Sequence, residues 1–150
     1  MGQREMDRLD RLVAALQREI DEQEQALYSA TVLHEARHPQ NLGRLTGPDA
    51  HAVVTGWCGD TMEVFLRLDG DVIREAAFLT DGCGPSVACG SKLTTRICGM
   101  TLEQASSFRP EDLIAALDGL PDESAHCAEL AVSTLREAIA ERDKREEDTR

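Results

Sequence analysis

The sequence lacks the features typical of membrane, secreted and nucleic-acid-binding proteins. Apolar runs such as residues 12–16 are far shorter than the roughly 20 residues that a helix needs to span a bilayer. Charged side chains occur throughout residues 4–10, where a secretory signal would have an apolar stretch. Basic residues are few, 16 against 28 acidic ones, and the formal charge of −12 disfavours nucleic acid and anionic membranes as partners. We therefore expect a cytoplasmic protein that binds neither a membrane nor a nucleic acid.

Two further absences concern the cysteines and the domain count. Five cysteines are an odd number, and without an apolar leader a disulfide framework is not expected, so the thiols should be reduced. No C-x-x-C pair occurs, so spacing alone defines neither a zinc motif nor a redox motif. The 150 residues contain no repeat and no Gly/Ser or Pro linker, which indicates one globular unit.

The N-terminal region has an amphipathic pattern. Neither proline nor glycine occurs within residues 3–38, which predicts one long helix from about residue 4 to the mid-thirties. Its apolar side chains follow a heptad stripe that only Gln23 interrupts: Met6, Leu9, Val13, Leu16, Ile20 and Leu27. We expect the stripe to pack on the body of the domain. The alternative is a homodimer, or a complex with a partner helix, through the same face.

The rest of the chain predicts strands followed by helices. The predicted strands are 51–57, 62–68 and 72–79, with turn chemistry at Asp69-Gly70-Asp71 and with Ile73, Ala77 and Leu79 on one face of the third. The predicted helices are 86–97, 102–107, 110–117 and 124 to about 141, with Gly99 and Gly119 as stops. This order indicates an α+β fold, a three-stranded antiparallel sheet packed against helices. We divide the chain into an amphipathic extension 1–27, a domain 28–140 and a charged tail 141–150.

Several side chains able to bind a metal fall at the joints between these elements. Cys58 and Asp60 lie between the first two strands, Cys83 lies between the third strand and the next helix, and His126-Cys127 opens the last helix. Thiols at loop ends and helix N-termini are accessible to solvent or to a metal. Cys89 instead falls on an apolar helical face, where a buried small hydrophobe is expected, and Cys98 lies at the edge of that face.

The segments that carry these residues, taken in order, resemble the iron-sulfur cluster assembly scaffolds of the IscU and NifU type. The resemblance covers about residues 28–140. It rests on the following motifs: Tyr28-Ser29, His38-Pro39-Gln40-Asn41-Leu42-Gly43, Cys58-Gly59-Asp60, Gly82-Cys83-Gly84, Leu120-Pro121 and His126-Cys127.

The resemblance implies a carrier rather than a turnover enzyme. Such a scaffold builds a [2Fe-2S] cluster from iron and from sulfur that a cysteine desulfurase delivers as persulfide, and it then passes the cluster to apo acceptor proteins. The residues that match the family's ligands are Cys58, Asp60, Cys83, His126 and Cys127. The match makes Cys127 the preferred persulfide acceptor, with Cys58 and Cys83 as relays. A carboxylate or imidazole is a poorer iron ligand than thiolate, and we expect Asp60 to keep the cluster labile.

Two alternative functions involve zinc in place of the cluster, because three thiolates with Asp60 or His126 also satisfy a tetrahedral zinc site. A zinc-bound persulfide sulfurtransferase accessory protein and a zinc-stabilised interaction adaptor therefore stay open. The sequence departs from the family at residues 120–125, which lack the second proline and the lysine found there in many members. This departure argues against recognition by the specialised Hsp70-type chaperone. Cys89 and Cys98 are also unusual for the family.

Overall fold

A three-stranded antiparallel sheet and the helices packed on it form the α+β fold that the sequence predicts. The computed structural model describes residues 2–148, so residue 1 of the predicted extension and residues 149–150 of the predicted tail lie outside the described residues. The elements are α1 (Gln3–Leu27), α2 (Ala30–Arg37), β1 (Ala50–Thr55), β2 (Thr61–Asp69), β3 (Val72–Thr80), α3 (Gly84–Ile97), α4 (Leu102–Ser106), α5 (Pro110–Ala116), a 3₁₀ turn (Asp122–Ser124) and α6 (Ala125–Asp148). None of the helices within residues 2–148 combines the length and the apolar character needed to cross a membrane.

The sheet has the order β1-β2-β3, and its inner face forms the core with α3 and α6. In β2, Met62, Val64 and Leu66 lie on the core face at alternate positions and are completely buried. The prediction that Ile73, Ala77 and Leu79 share one face of β3 is wrong for Ala77 and Leu79. Arg67 pairs with Glu75 while Leu68 pairs with Ile73, so β3 contains an extra residue at this bulge. One extra residue reverses the alternation, and the core therefore receives Ile73, Ala76 and Phe78.

The predicted single N-terminal helix is also wrong, because it is two helices. The chain is extended at Tyr28 and Ser29, and the Ser29 hydroxyl accepts a hydrogen bond from the Val32 amide (3.1 Å), which caps α2. The same hydroxyl donates to the Leu117 carbonyl (2.6 Å), a partner 88 residues away. This tertiary bond holds the break in place.

The expectation that the α1 stripe packs on the body of the domain is wrong as well. Within the described residues, no side chain of α1 is buried, and the apolar ones are 48–57% exposed. Ion pairs join its C-terminal part to α2, where Arg37 lies 2.7 Å from Glu24 and 3.7 Å from Asp21. Because the chain changes direction at Tyr28, the stripe does not continue onto the core-facing side of α2.

The later helices occur where the sequence predicts them, with shifted ends. Gly99 (φ 90°) and Gly119 (φ 101°) adopt the left-handed backbone that favours glycine just past a helix. Helix α6 continues beyond the predicted end near residue 141 to Asp148. An i,i+4 ion pair between Arg142 and Glu146 (2.8 Å) supports this exposed continuation.

Candidate metal centre

The first of three segments that form the site is the turn between β1 and β2. The Gly56 amide donates to the Asp60 carbonyl (2.8 Å), and the Gly59 amide donates to the Gly56 carbonyl (3.0 Å), which closes the turn. Gly59 has a φ of 92°, a conformation that side-chain-bearing residues rarely adopt. The turn leaves Cys58 exposed and Asp60 half-buried at its side.

The second segment is the loop between β3 and α3. The Asp81 carboxylate accepts a hydrogen bond from the Thr61 amide (2.7 Å), which ties this loop to the start of β2. Cys83 is the N-cap residue of α3 and is exposed. A Cβ at Gly82 would lie 2.6 Å from Ser86 Cβ and 3.1 Å from Asp60 Oδ2. The loop therefore passes so close to Asp60 that only glycine fits without displacement.

The third segment is the first turn of α6, which carries His126 and Cys127. Cys127 is 1% exposed, and its Sγ accepts a hydrogen bond from the Ser86 hydroxyl at 3.4 Å. The His126 Nε2 lies 3.7 Å from the same sulfur. The Trp57 ring, which is 83% exposed, lies 5.3 Å from the imidazole between ring centroids. This turn therefore places one thiol inside the protein and one imidazole at the rim of the site.

The ligand atoms of Cys58, Asp60 and His126 lie within 4.8 Å of one another. Ligands about 2.0–2.3 Å from a tetrahedral ion stand roughly 3.3–3.8 Å apart, so small side-chain rotations bring these three atoms around one cation. The set of soft sulfur, imidazole nitrogen and carboxylate oxygen suits zinc or iron. Cys127 adjoins this group through His126, whereas Cys83 belongs to the neighbouring loop and is not one of the three. The structure thus brings together three of the five predicted ligands directly.

The electrostatics of the site favour a cation. Burial raises the pKa of the Cys127 thiol, and the nearby negative groups of Cys83, Asp60 and Cys58 raise it further, while the hydrogen bond from Ser86 lowers it. The negative charges of thiolates and a carboxylate repel one another when no metal is present. A bound metal ion stabilises these charged forms, so the thiols release their protons when the metal binds.

The two remaining cysteines are not among the three grouped ligands. Cys89 is completely buried in the core, as its position on the apolar face of the helix predicts; burial raises its pKa strongly, and the neighbouring thiols of Cys127 and Cys83 raise it further. Cys98 is exposed at the opposite end of α3 from Cys83 and donates to the Thr94 carbonyl (3.2 Å). A helix of this length separates its two ends by about 20 Å, which is too far for one ion to bridge.

Comparison with known proteins identifies the family. The sequence model of the family described as "NifU-like N terminal domain" matches residues 27–149. The chain belongs to this family. The resemblance that the motifs of residues 28–140 indicate is thereby confirmed.

Curated relatives of this NifU-like domain include "Iron-sulfur cluster assembly scaffold protein IscU 1" of Archaeoglobus fulgidus. It is 32% identical over 116 residues, which cover 77% of this chain and 76% of the relative. "Iron-sulfur cluster assembly scaffold protein IscU" of Escherichia coli is 32% identical over 125 residues, 79% of this chain and 97% of the relative. A solved NifU-like N-terminal structure from Brucella abortus superposes with a TM-score of 0.61 at 20% identity, covering 77% of this chain and 94% of that one, which shows the fold alone.

Three residues contribute to the site although the sequence does not mark them as ligands. Ser86 donates to the Cys127 thiol, Gly82 allows the close approach to Asp60, and Trp57 flanks His126. The available signals were a serine three residues after Cys83, a glycine directly before it, and the single tryptophan of the chain directly before Cys58. None of these signals identifies a ligand by itself.

Proposed function

We propose that this protein is an iron-sulfur cluster assembly scaffold, a carrier rather than a turnover enzyme. The observation that carries the proposal is the meeting of Cys58, Asp60 and His126 within 4.8 Å, with Cys127 beside them. The names of the relatives from Archaeoglobus fulgidus and Escherichia coli point in the same direction. The cargo is a [2Fe-2S] cluster, built from iron and from sulfur that arrives as persulfide.

The ligand set suits a cargo that must be released. Thiolates are the preferred ligands of iron-sulfur clusters, and carboxylate or imidazole binds iron more weakly. Asp60 and His126 are the residues that would supply this weaker bond. Cys58 and Cys83 are both exposed, so an acceptor protein can reach two of the thiolates without unfolding the core. We infer that apo iron-sulfur proteins take the cluster from this rim.

Sulfur enters as persulfide from a cysteine desulfurase, with Cys127 as the acceptor. The Cys127 thiolate attacks the outer sulfur of the desulfurase persulfide, a new S–S bond forms, the old one breaks, and the desulfurase cysteine leaves as thiolate. Because Cys127 is 1% exposed and burial raises its pKa, the first turn of α6 has to open for this attack. The exposed thiols of Cys58 and Cys83 serve as relays.

The decisive experiment is anaerobic reconstitution with iron, cysteine, a desulfurase and a thiol reductant, which reduces the persulfide sulfur to the sulfide of the cluster, followed by absorbance spectroscopy. We expect charge-transfer absorbance in the visible range. The Asp60→Ala variant should hold the cluster longer in a decay assay, because the labile ligand is lost. Asp69→Ala, at the exposed turn between β2 and β3, is the matched control and should decay like the parent. A shorter or unchanged lifetime of Asp60→Ala would contradict the role of this carboxylate.

Mass spectrometry of single Cys→Ser variants after incubation with desulfurase tests the sulfur acceptor. Persulfide should disappear in Cys127→Ser and persist in Cys89→Ser, whose buried sulfur serves as the control. Persistence of the persulfide in Cys127→Ser would assign the acceptor to another thiol.

A second candidate is a zinc-bound persulfide sulfurtransferase accessory protein. The three ligand atoms within 4.8 Å favour it, because they also fit a tetrahedral zinc ion. Reconstitution separates the candidates. Persulfide without visible absorbance supports the zinc-bound accessory, and neither signal supports a zinc-stabilised adaptor.

A further inference from the structure

Helix α1 carries an apolar stripe that no described part of the chain covers. It consists of Met6, Leu9, Leu12, Val13, Leu16, Ile20 and Leu27, each 48–57% exposed. A contiguous apolar surface of this kind on a soluble protein marks an interaction site. The heptad spacing along 25 residues is the pattern by which one helix packs against another.

The charges that border the stripe have one sign. In the heptad register that puts Met6 at position a and Leu9 at position d, the charged side chains at the flanking positions e and g are all acidic: Glu5, Asp10, Glu19 and Glu24. The arginines of α1 lie at the outer positions c and f: Arg4, Arg8, Arg11 and Arg18. Glu24 pairs with Arg37, whereas Glu5, Asp10 and Glu19 make no ion pair with any described residue.

This distribution of charge distinguishes among the possible occupants. If two copies of α1 packed together, carboxylates would face carboxylates in both the parallel and the antiparallel arrangement. This repulsion disfavours the homodimer that the heptad spacing alone allows. A helix that lies on an anionic membrane needs a net positive charge, whereas residues 3–27 contain four arginines against seven acidic residues. A helix with basic residues beside its own apolar stripe satisfies both the apolar surface and the carboxylates.

We propose that the α1 stripe is a docking site for a basic amphipathic helix of another protein. The partner helix presents apolar residues at heptad spacing, with lysine or arginine on both borders. Burial of the stripe gives the affinity, and the acidic borders select the partner and its register. The proposal is independent of the metal site, which lies on other elements.

Two synthetic peptides test the proposal against the full chain by fluorescence anisotropy. Both carry the α1 apolar residues at heptad spacing; one has lysine at every bordering position, and the other has glutamate there. We expect the lysine peptide to bind at least about tenfold more tightly than the glutamate peptide, since several bordering pairs change from repulsive to attractive. Its binding should weaken as salt is added. Equal binding of the two peptides, or no binding of the lysine peptide, would overturn the proposal.

Variants of the chain identify the surface. Glu5→Lys, Asp10→Lys and Glu19→Lys combined should reverse the preference between the peptides, and Leu9→Ser with Leu16→Ser should abolish binding. Arg11→Glu, on the opposite side of α1, is the control and should leave binding unchanged. Because α1 buries no side chain, circular dichroism should show a folded body in all of them.

Sedimentation of the unmodified chain tests the competing occupants. We expect a monomer, with no binding to vesicles of anionic phospholipid. A dimer that the leucine substitutions dissociate would make a second copy the occupant. Vesicle binding that requires Leu9 and Leu16 would make a membrane the occupant, and either result would refute the proposal.

Discussion

Replacing Gly82 by alanine tests the packing that brings the Cys83 loop against Asp60. The new Cβ would stand 2.5 Å from Ser86 Oγ, 2.6 Å from Ser86 Cβ and 3.1 Å from Asp60 Oδ2. Ordinary contacts between carbon atoms are about 3.5–4.0 Å, so the loop and α3 must separate by roughly 1 Å. Rotation of Ser86 does not relieve the contact, because its Cβ is fixed by the buried first turn of α3. Gly82 has no left-handed φ, so the effect is steric only.

The expected loss of stability follows from two opposing effects. Overpacking of this kind costs about 1–3 kcal/mol. Replacing glycine by alanine restores about 0.4–1 kcal/mol by restricting the unfolded chain. We expect a net loss of about 1–2 kcal/mol, which for a domain of this size lowers the Tm by about 2–8 °C.

Gly84→Ala is the matched control, since it lies on the other side of Cys83. A Cβ at Gly84 would lie 3.8 Å from Ala36 Cβ, an ordinary contact, so its Tm should stay level or rise slightly. Thermal unfolding followed by circular dichroism measures the Tm, and anaerobic reconstitution measures cluster yield. Gly82→Ala should lower both, because it displaces Asp60 from Cys83, whereas Gly84→Ala should lower neither. If Gly82→Ala matched the parent in Tm, or if both variants lost stability equally, the close approach described here would be refuted.

Three further predictions concern the thiols. Iodoacetamide should modify the exposed Cys58 and Cys83 well before Cys127, as judged by mass spectrometry of timed digests; equal rates would contradict the burial of Cys127. Ser86→Ala removes the hydrogen bond that lowers the pKa of Cys127, so Cys127 should be modified still more slowly at pH 8 while Cys58 is unaffected. Burial raises the pKa of Cys89 in the folded state, so the unfolded chain releases this proton first and stability falls as pH rises above about 8.5. Urea unfolding across that range should show a slope shallower by about 1.4 kcal/mol per pH unit in Cys89→Ala, and an unchanged slope would exclude Cys89 as its source.

The sheet was predictable from the sequence because its signals are local. Alternation in β2 places Met62, Val64 and Leu66 on one face, and Gly70 (φ 60°) forms the turn to β3. The bulge at Arg74 was not predictable, since β-branched and small apolar residues follow one another in β3 and fit either face. The break at Ser29 depends on the Leu117 carbonyl, which is distant in the sequence.

The candidate site shows the same division between local and long-range information. Cys58, Cys83 and His126 could be chosen from the sequence because thiols and imidazole at the joints of elements are suitable metal ligands. The expected accessibility of these thiols is confirmed for Cys58 and Cys83 but is wrong for Cys127. Cys127 is buried because α6 packs against α3, where Ser86 meets its sulfur, and that contact joins residues 41 positions apart.

Because the candidate ligands come from three separate segments, cargo binding and local order are linked. A metal or cluster held by the β1–β2 turn, the Cys83 loop and the first turn of α6 favours the conformation in which all three are in place. By reciprocity, anything that loosens one segment lowers the affinity of the whole site by the same factor. An acceptor protein that displaces only the first turn of α6 would therefore weaken the hold of Cys58 and Asp60 without touching either residue. Release of the cargo could thus be controlled through a single turn of helix.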